Sequence, residues 1–163
     1  MADHAGEVFA DYVKEQIDLE DKRRASLETR GVGVITVSAT LVTLLFGISA
    51  VATNQPGFVP AGDIRARLTW ALIAFAASSV IAIGTTVPLA ISTVDASRLA
   101  PEVRKRWDAT PDAARKATTA TRVADLASLQ RVNTIKSVLL LAAVAVQVVA
   151  VLLLAWSVTV LLR

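Results

Sequence analysis

Polar and apolar positions fall along this chain in long blocks rather than short alternations. Charged side chains are frequent up to Arg30, and from Gly31 onward no ionisable side chain occurs until Asp63. Three blocks carry no charge at all: Gly31 to Ala52, Leu68 to Val94 and Ser137 to Leu162. A helix needs about 20 apolar residues, each rising 1.5 Å, to cross roughly 30 Å of hydrocarbon, and each block is long enough. Soluble bundles also bury helices, but those helices keep a polar face, and these blocks have none. The pattern predicts an all-α integral membrane protein with three transmembrane helices: 31–52, 68–94 and 137–162.

The polar segments have helical periodicity of their own. In residues 1–30, Val8, Phe9, Tyr12, Val13, Gln16, Ile17, Glu20, Arg24 and Leu27 follow one another at three- and four-residue spacing. Lys14 with Asp18, Asp18 with Lys22, and Glu20 with Arg24 stand four apart on the wetter sides. No proline interrupts this segment before the first span, so one long helix is expected, with a bend near Gly31 and Gly33. Thr110, Pro111 and Asp112 form a helix-start signal. Val123, Leu126, Ala127, Leu129, Val132 and Ile135 follow on one side, and the helix should continue unbroken into the third span. Between the two, Leu99, Val103 and Trp107 recur every four residues beside Arg104, Lys105 and Arg106. This basic patch either touches anionic lipid or is solvated while Trp107 packs inward. Together these helices, within 1–30 and 95–136, predict a small cytoplasmic three-helix stalk.

Charge then sets the orientation. The segment 1–30 holds five basic residues, the loop 53–67 holds Arg65 and Arg67, the segment 95–136 holds nine, and Arg163 ends the chain. Alternation of this kind places the N-terminus in the cytoplasm and the C-terminus outside. Trp70 and Trp156 then fall near the outer interface, where amphipathic rings settle. The reading is a multi-pass protein of a bacterial inner membrane, with a short external loop of turn-forming residues (Pro56, Gly57, Pro60, Gly62). The first thirty residues are polar and acidic, unlike a cleaved secretory leader.

Composition narrows the function. Lys and Arg total 17 against 14 acidic residues, a net charge of +3 that gives no reason to expect nucleic acid as a partner. There is no cysteine and a single histidine, His4, so no thiol chemistry, histidine metal cluster or Ser-His triad is expected, and no metal or cofactor. The spans contain no ionisable residue, which disfavours proton relays, ion-coupled transport and voltage sensing. No phosphate-binding glycine loop occurs. The chain reads as non-enzymatic.

Small residues recur instead. Ala39, Thr43 and Gly47 stand four apart in the first span, and Ala74, Ser78, Ala82 and Thr86 do so in the second. Such ridges let helices approach closely, within one chain or between copies. Gln147, near the middle of the third span, needs a hydrogen-bond partner on another helix, either a hydroxyl of the same bundle or a second copy. Pro88 should kink the second span near its cytoplasmic end, with Thr85 and Thr86 helping to satisfy the freed backbone groups.

The stretch LEDKRRASLETRGVGVITVSATLVTLLFGISAV carries an acidic-x-Lys step and small residues just before the first span: Asp21, Lys22, Ala25 and Ser26. In this it resembles the start of the small bacterial membrane effectors of Pycsar-type antiphage systems. The resemblance covers roughly the first fifty residues. It implies an effector that oligomerises on a nucleotide signal and breaches the inner membrane. Two functions therefore stand open: a self-associating membrane-perturbing effector, or a scaffold or regulatory subunit that recruits a soluble cytoplasmic protein. The lipid bilayer is the partner common to both.

Overall fold

A computed structural model describes residues 2–53, 62–88, 101, 103, 104 and 110–161. Three helices make up the described chain: α1 (Ala2–Thr53), α2 (Gly62–Thr86) and α3 (Pro111–Leu161). No strand occurs among the described residues. Each helix contains a stretch long and apolar enough to cross a membrane. The protein is all-α, with three helices of membrane-spanning character.

The first and third helices are longer than a span requires, at 52 and 51 residues. α1 runs without interruption through Gly31 and Gly33, because its polar part lacks proline and its apolar part favours helix wherever water cannot satisfy the backbone. α3 begins as its sequence predicts. The Thr110 Oγ1 accepts from the Ala113 N–H at 3.4 Å, the Thr110 carbonyl accepts from the Ala114 N–H at 3.0 Å, and Asp112 stands in the positive first turn.

α2 stops at Thr86, two residues before Pro88, and the segment that a kink at Pro88 would join to it lies outside the described residues. Lacking an N–H, proline cannot continue the ladder. The last carbonyls are met locally: Val87 N–H and the Thr86 hydroxyl both donate to the Ile83 carbonyl, and the Thr85 hydroxyl donates to the Ala82 carbonyl at 2.7 Å. The expected continuation to Val94, the external loop 54–61 and the segment carrying Leu99, Lys105, Arg106 and Trp107 lie outside the described residues.

The chain divides into two compact units. One comprises Met1–Ser26 with Pro88–Ile135, the other Leu27–Val87 with Lys136–Arg163. In the first, Arg115 pairs with Glu7 at 3.4 Å and Asn133 with Glu20, so the two helices run in the same direction. Val13, Leu129 and Val132 are buried there. In the second, Val34, Ala82 and Ala143 form a core cluster flanked by Ile35, Ile81 and Leu140. Glu28 pairs with Lys136, so α1 and α3 are parallel there too. Gly84 lies against Leu139, Ser78 against Ala143, and Arg67 sits 5.6 Å above the Trp156 ring. Those contacts make α2 antiparallel to α3.

Candidate functional site

In the unit formed by Leu27–Val87 and Lys136–Arg163, the small residues foreseen as packing ridges divide into two groups. On α2 the ridge faces inward: Ser78 and Ala82 are fully buried, and Ala74 and Thr86 are half-buried. Ser78 donates to the Ala143 carbonyl at 2.8 Å, which ties α2 to α3 through a group that hydrocarbon could not satisfy. On α1 the ridge faces outward. Ala39, Thr43 and Gly47 are all exposed.

That outward face continues the same chemistry. Gly33, Thr36 and Thr40 are exposed with Thr43 and Gly47, and at 3.6 residues per turn these five fall on one strip of α1. Val37 and Leu44 border the strip on one side, and Val32 and Phe46 on the other; all four are about half exposed. The three hydroxyls donate to carbonyls of their own helix: Thr36 to Val32, Thr40 to Thr36 and Thr43 to Ala39. A Cβ added at Gly33 or Gly47 would meet nothing within 4 Å. The exposed faces of the other helices mix large and small residues, Trp70, Ile73 and Val80 with Ala76 and Ala77 on α2, and Val138, Leu141 and Leu152 with Ala142 and Ala145 on α3.

Gln147 lies on α3 half-buried, between the buried Ala143 and Ala150, and none of the hydrogen bonds among the described residues involves its amide. Trp70 and Trp156 are about two-thirds exposed, on the end of the unit where Arg67 meets Trp156. Arg104 is exposed, while Lys105 and Arg106 lie outside the described residues.

The polar half of α1 corrects one expectation. The predicted apolar face splits: Val13 and Leu27 are buried and Ile17 half-buried, but Val8, Phe9 and Tyr12 are 66%, 66% and 59% exposed. The helix buries the side that carries Glu20, which packs towards α3, and leaves Val8, Phe9 and Tyr12 outside. On α3, Val123 and Ile135 are likewise about half exposed, and Asn133 takes the buried place.

Two polar pairings were not anticipated. The Asn133 side-chain amide donates both to the Glu20 carbonyl at 2.8 Å and to its carboxylate at 2.7 Å. The Lys136 ammonium, fully buried, donates to Glu28 Oε1 at 2.6 Å. A signal for the second was present. Glu28 and Lys136 stand just outside two uncharged blocks whose predicted orientation brings them level, although as one of nine basic residues in 95–136 Lys136 carries no mark of its own. Nothing comparable marks Asn133, since an amide in a polar segment is ordinary.

Among the described residues, no group of three or more His, Asp or Glu side chains stands close enough to hold a metal ion. No protein-family model, no curated protein and no solved structure matches this chain.

Proposed function

We propose that this chain is a non-enzymatic, self-associating bacterial inner-membrane protein whose α1 helix meets a second copy within the bilayer. Its N-terminus is cytoplasmic and its C-terminus external. The observation that carries this reading is the outward strip of Gly33, Thr36, Thr40, Thr43 and Gly47. Large aliphatic side chains such as Ile73 on α2 and Leu141 and Leu152 on α3 suit lipid tails, whereas a strip of glycines and threonines lets two helix backbones approach. Glycine inside a helix costs about 1 kcal/mol relative to alanine, and no neighbour in the chain requires it at Gly33 or Gly47. A second helix does. The half-buried amide of Gln147 supports the same reading, because an amide in hydrocarbon needs a partner. With the resemblance of residues 21–26 to membrane effectors of antiphage systems, the assembly is one that perturbs the membrane when a nucleotide signal arrives.

Gly47→Leu tests the interface directly, because the added side chain enters open space and leaves the chain's own packing intact. Purified in mild detergent, the wild-type protein should run as an oligomer and the variant as a monomer of unchanged helicity. Gln147→Leu should weaken the oligomer and any loss of membrane potential on triggered expression. A wild-type chain that is monomeric at high concentration sinks the reading.

The exposure of Val8, Phe9 and Tyr12 favours a second reading, a scaffold that recruits a soluble cytoplasmic protein through the start of α1. Phe9→Ala with Tyr12→Ala should then lose a stoichiometric partner in a pull-down while the membrane potential is unaffected.

A further inference from the structure

We propose that the Glu28–Lys136 pair is a register lock, which permits one alignment of the parallel helices α1 and α3 and excludes alignments slid by a heptad. The need for a lock follows from the packing around it. The buried positions of α3 recur every seven residues: Lys136, Ala143, Ala150 and Ser157, each at most 1% exposed. Three of these four are nearly the same size. The side of α1 that enters the same core presents Gly31, Val34, Ser38 and Leu41, a run of small and aliphatic residues with no distinctive shape. Sliding α3 by one heptad, about 10 Å, sets Ala143 against Leu41, or Ala150 against Val34, and the apolar surfaces remain compatible. Apolar packing in this unit therefore discriminates poorly among these alignments; in the other unit the Asn133–Glu20 hydrogen bonds also break on sliding, so the pair's own share is read with Asn133 replaced.

The charge discriminates well. In the observed alignment Lys136 is fully buried, and Glu28 is its one partner among the described residues, at 2.6 Å. Slid one way, the ammonium comes level with Ile35, seven residues beyond Glu28 and beside Val34, where no acceptor waits and hydrocarbon surrounds it. Slid the other way, Glu28 faces Ala143 and loses its partner, while Lys136 comes level with Asp21, an exposed carboxylate, so a buried pair is exchanged for a solvated one. Both slides break the pair. A polar residue at one core position fixes register in coiled coils in the same manner, by making the wrong alignments unsatisfied rather than by making the right one tighter. The Glu28 carboxylate, 36% exposed, keeps part of its hydration, so the pairing is not undone by desolvating both partners.

The chain has no cysteine, so paired cysteines report the alignment against a silent background. Val34→Cys with Ala143→Cys reads the observed register; Leu41→Cys with Ala143→Cys, and Val34→Cys with Ala150→Cys, read the two slid ones. A short bis-methanethiosulfonate reagent applied to native membranes should bridge the first pair alone. In chains that also carry Asn133→Leu, which alone should keep the 34–143 product, Lys136→Met keeps the side-chain length and removes the charge, and a slid pair should rise from background to a yield comparable with the first. Restoring opposite charges in exchanged places, Glu28→Lys with Lys136→Glu, should return the yield to the 34–143 product. If Lys136→Met still gives the 34–143 product alone, or if the wild-type chain bridges a slid pair, the lock is overturned. Should Lys136→Met fail to accumulate, the charge exchange decides in its place. The 34–143 product alone upholds the lock, and slid products or failure to accumulate overturn it.

Discussion

The Thr85 hydroxyl occupies the space that a methyl group on Gly31 would need. The carbonyl of Ala82, which accepts from that hydroxyl, lies 3.3 Å from the same point. Here α1 and α2 approach until a backbone meets a side chain, and only glycine leaves room. Gly31→Ala should destabilise the protein by about 1–3 kcal/mol, the usual cost of overpacking. Gly33→Ala, two residues along, meets nothing in its own chain, so the monomer's stability should be unchanged or raised by up to about 1 kcal/mol through helix propensity, any cost falling on the contact with a second copy. Thermal unfolding of both variants in detergent checks the contrast, which vanishes if the two behave alike.

Removing one member of the Glu28–Lys136 pair should do more harm than removing both. Glu28→Leu strands a buried ammonium and should cost about 3–5 kcal/mol. Glu28→Leu combined with Lys136→Met removes the stranded charge and should recover most of that loss. Unfolding midpoints in denaturant measure the difference; a double variant no more stable than the single one contradicts the burial of Lys136.

Two buried serines should respond in opposite directions. The Ser78 hydroxyl donates to the Ala143 carbonyl, so Ser78→Ala should cost about 1 kcal/mol. Ser38, 1% exposed, has a hydroxyl without a hydrogen-bond partner among the described residues. Ser38→Ala relieves a desolvated polar group and should stabilise by a similar amount, about 1 kcal/mol. Equal losses in the two variants would show that Ser38 bonds to something in the membrane-embedded protein.

At the start of α3, Thr110→Ala removes the side-chain acceptor of the Ala113 N–H. A loss of about 1 kcal/mol is expected, and Thr110→Asn should restore it. Hydrogen exchange at residues 111–114 gives the local measure: protection should fall in the first variant and return in the second.

Much of this architecture is legible in the order of residues. Charge ends at Arg30 and reappears at Asp63 because one side chain in hydrocarbon outweighs many local preferences, so the spans stand out. Thr110 and Pro111 mark the start of α3 because capping is local chemistry. What escaped depends on partners far along the chain. Val8, Phe9 and Tyr12 share their periodicity with Val13, and only the placement of α3 decides which side is covered. The ridges at Ala39 and Ala74 look alike as spacings, yet one faces out and the other in. α2 ends two residues short of Pro88, whose missing N–H is a local signal that the lack of charge up to Asp95 obscures.

The partners Glu28 and Lys136 are 108 residues apart, and Ser78 and Ala143 are 65 apart. Biosynthesis reaches α3 after α1 and α2, so a nascent chain carries these two with a carboxylate and a hydroxyl still waiting for their counterparts. Insertion of α3 is therefore the step that satisfies both groups. A chain stopped short of it presents lipid-facing polar groups to whatever machinery inspects and degrades unfinished membrane proteins.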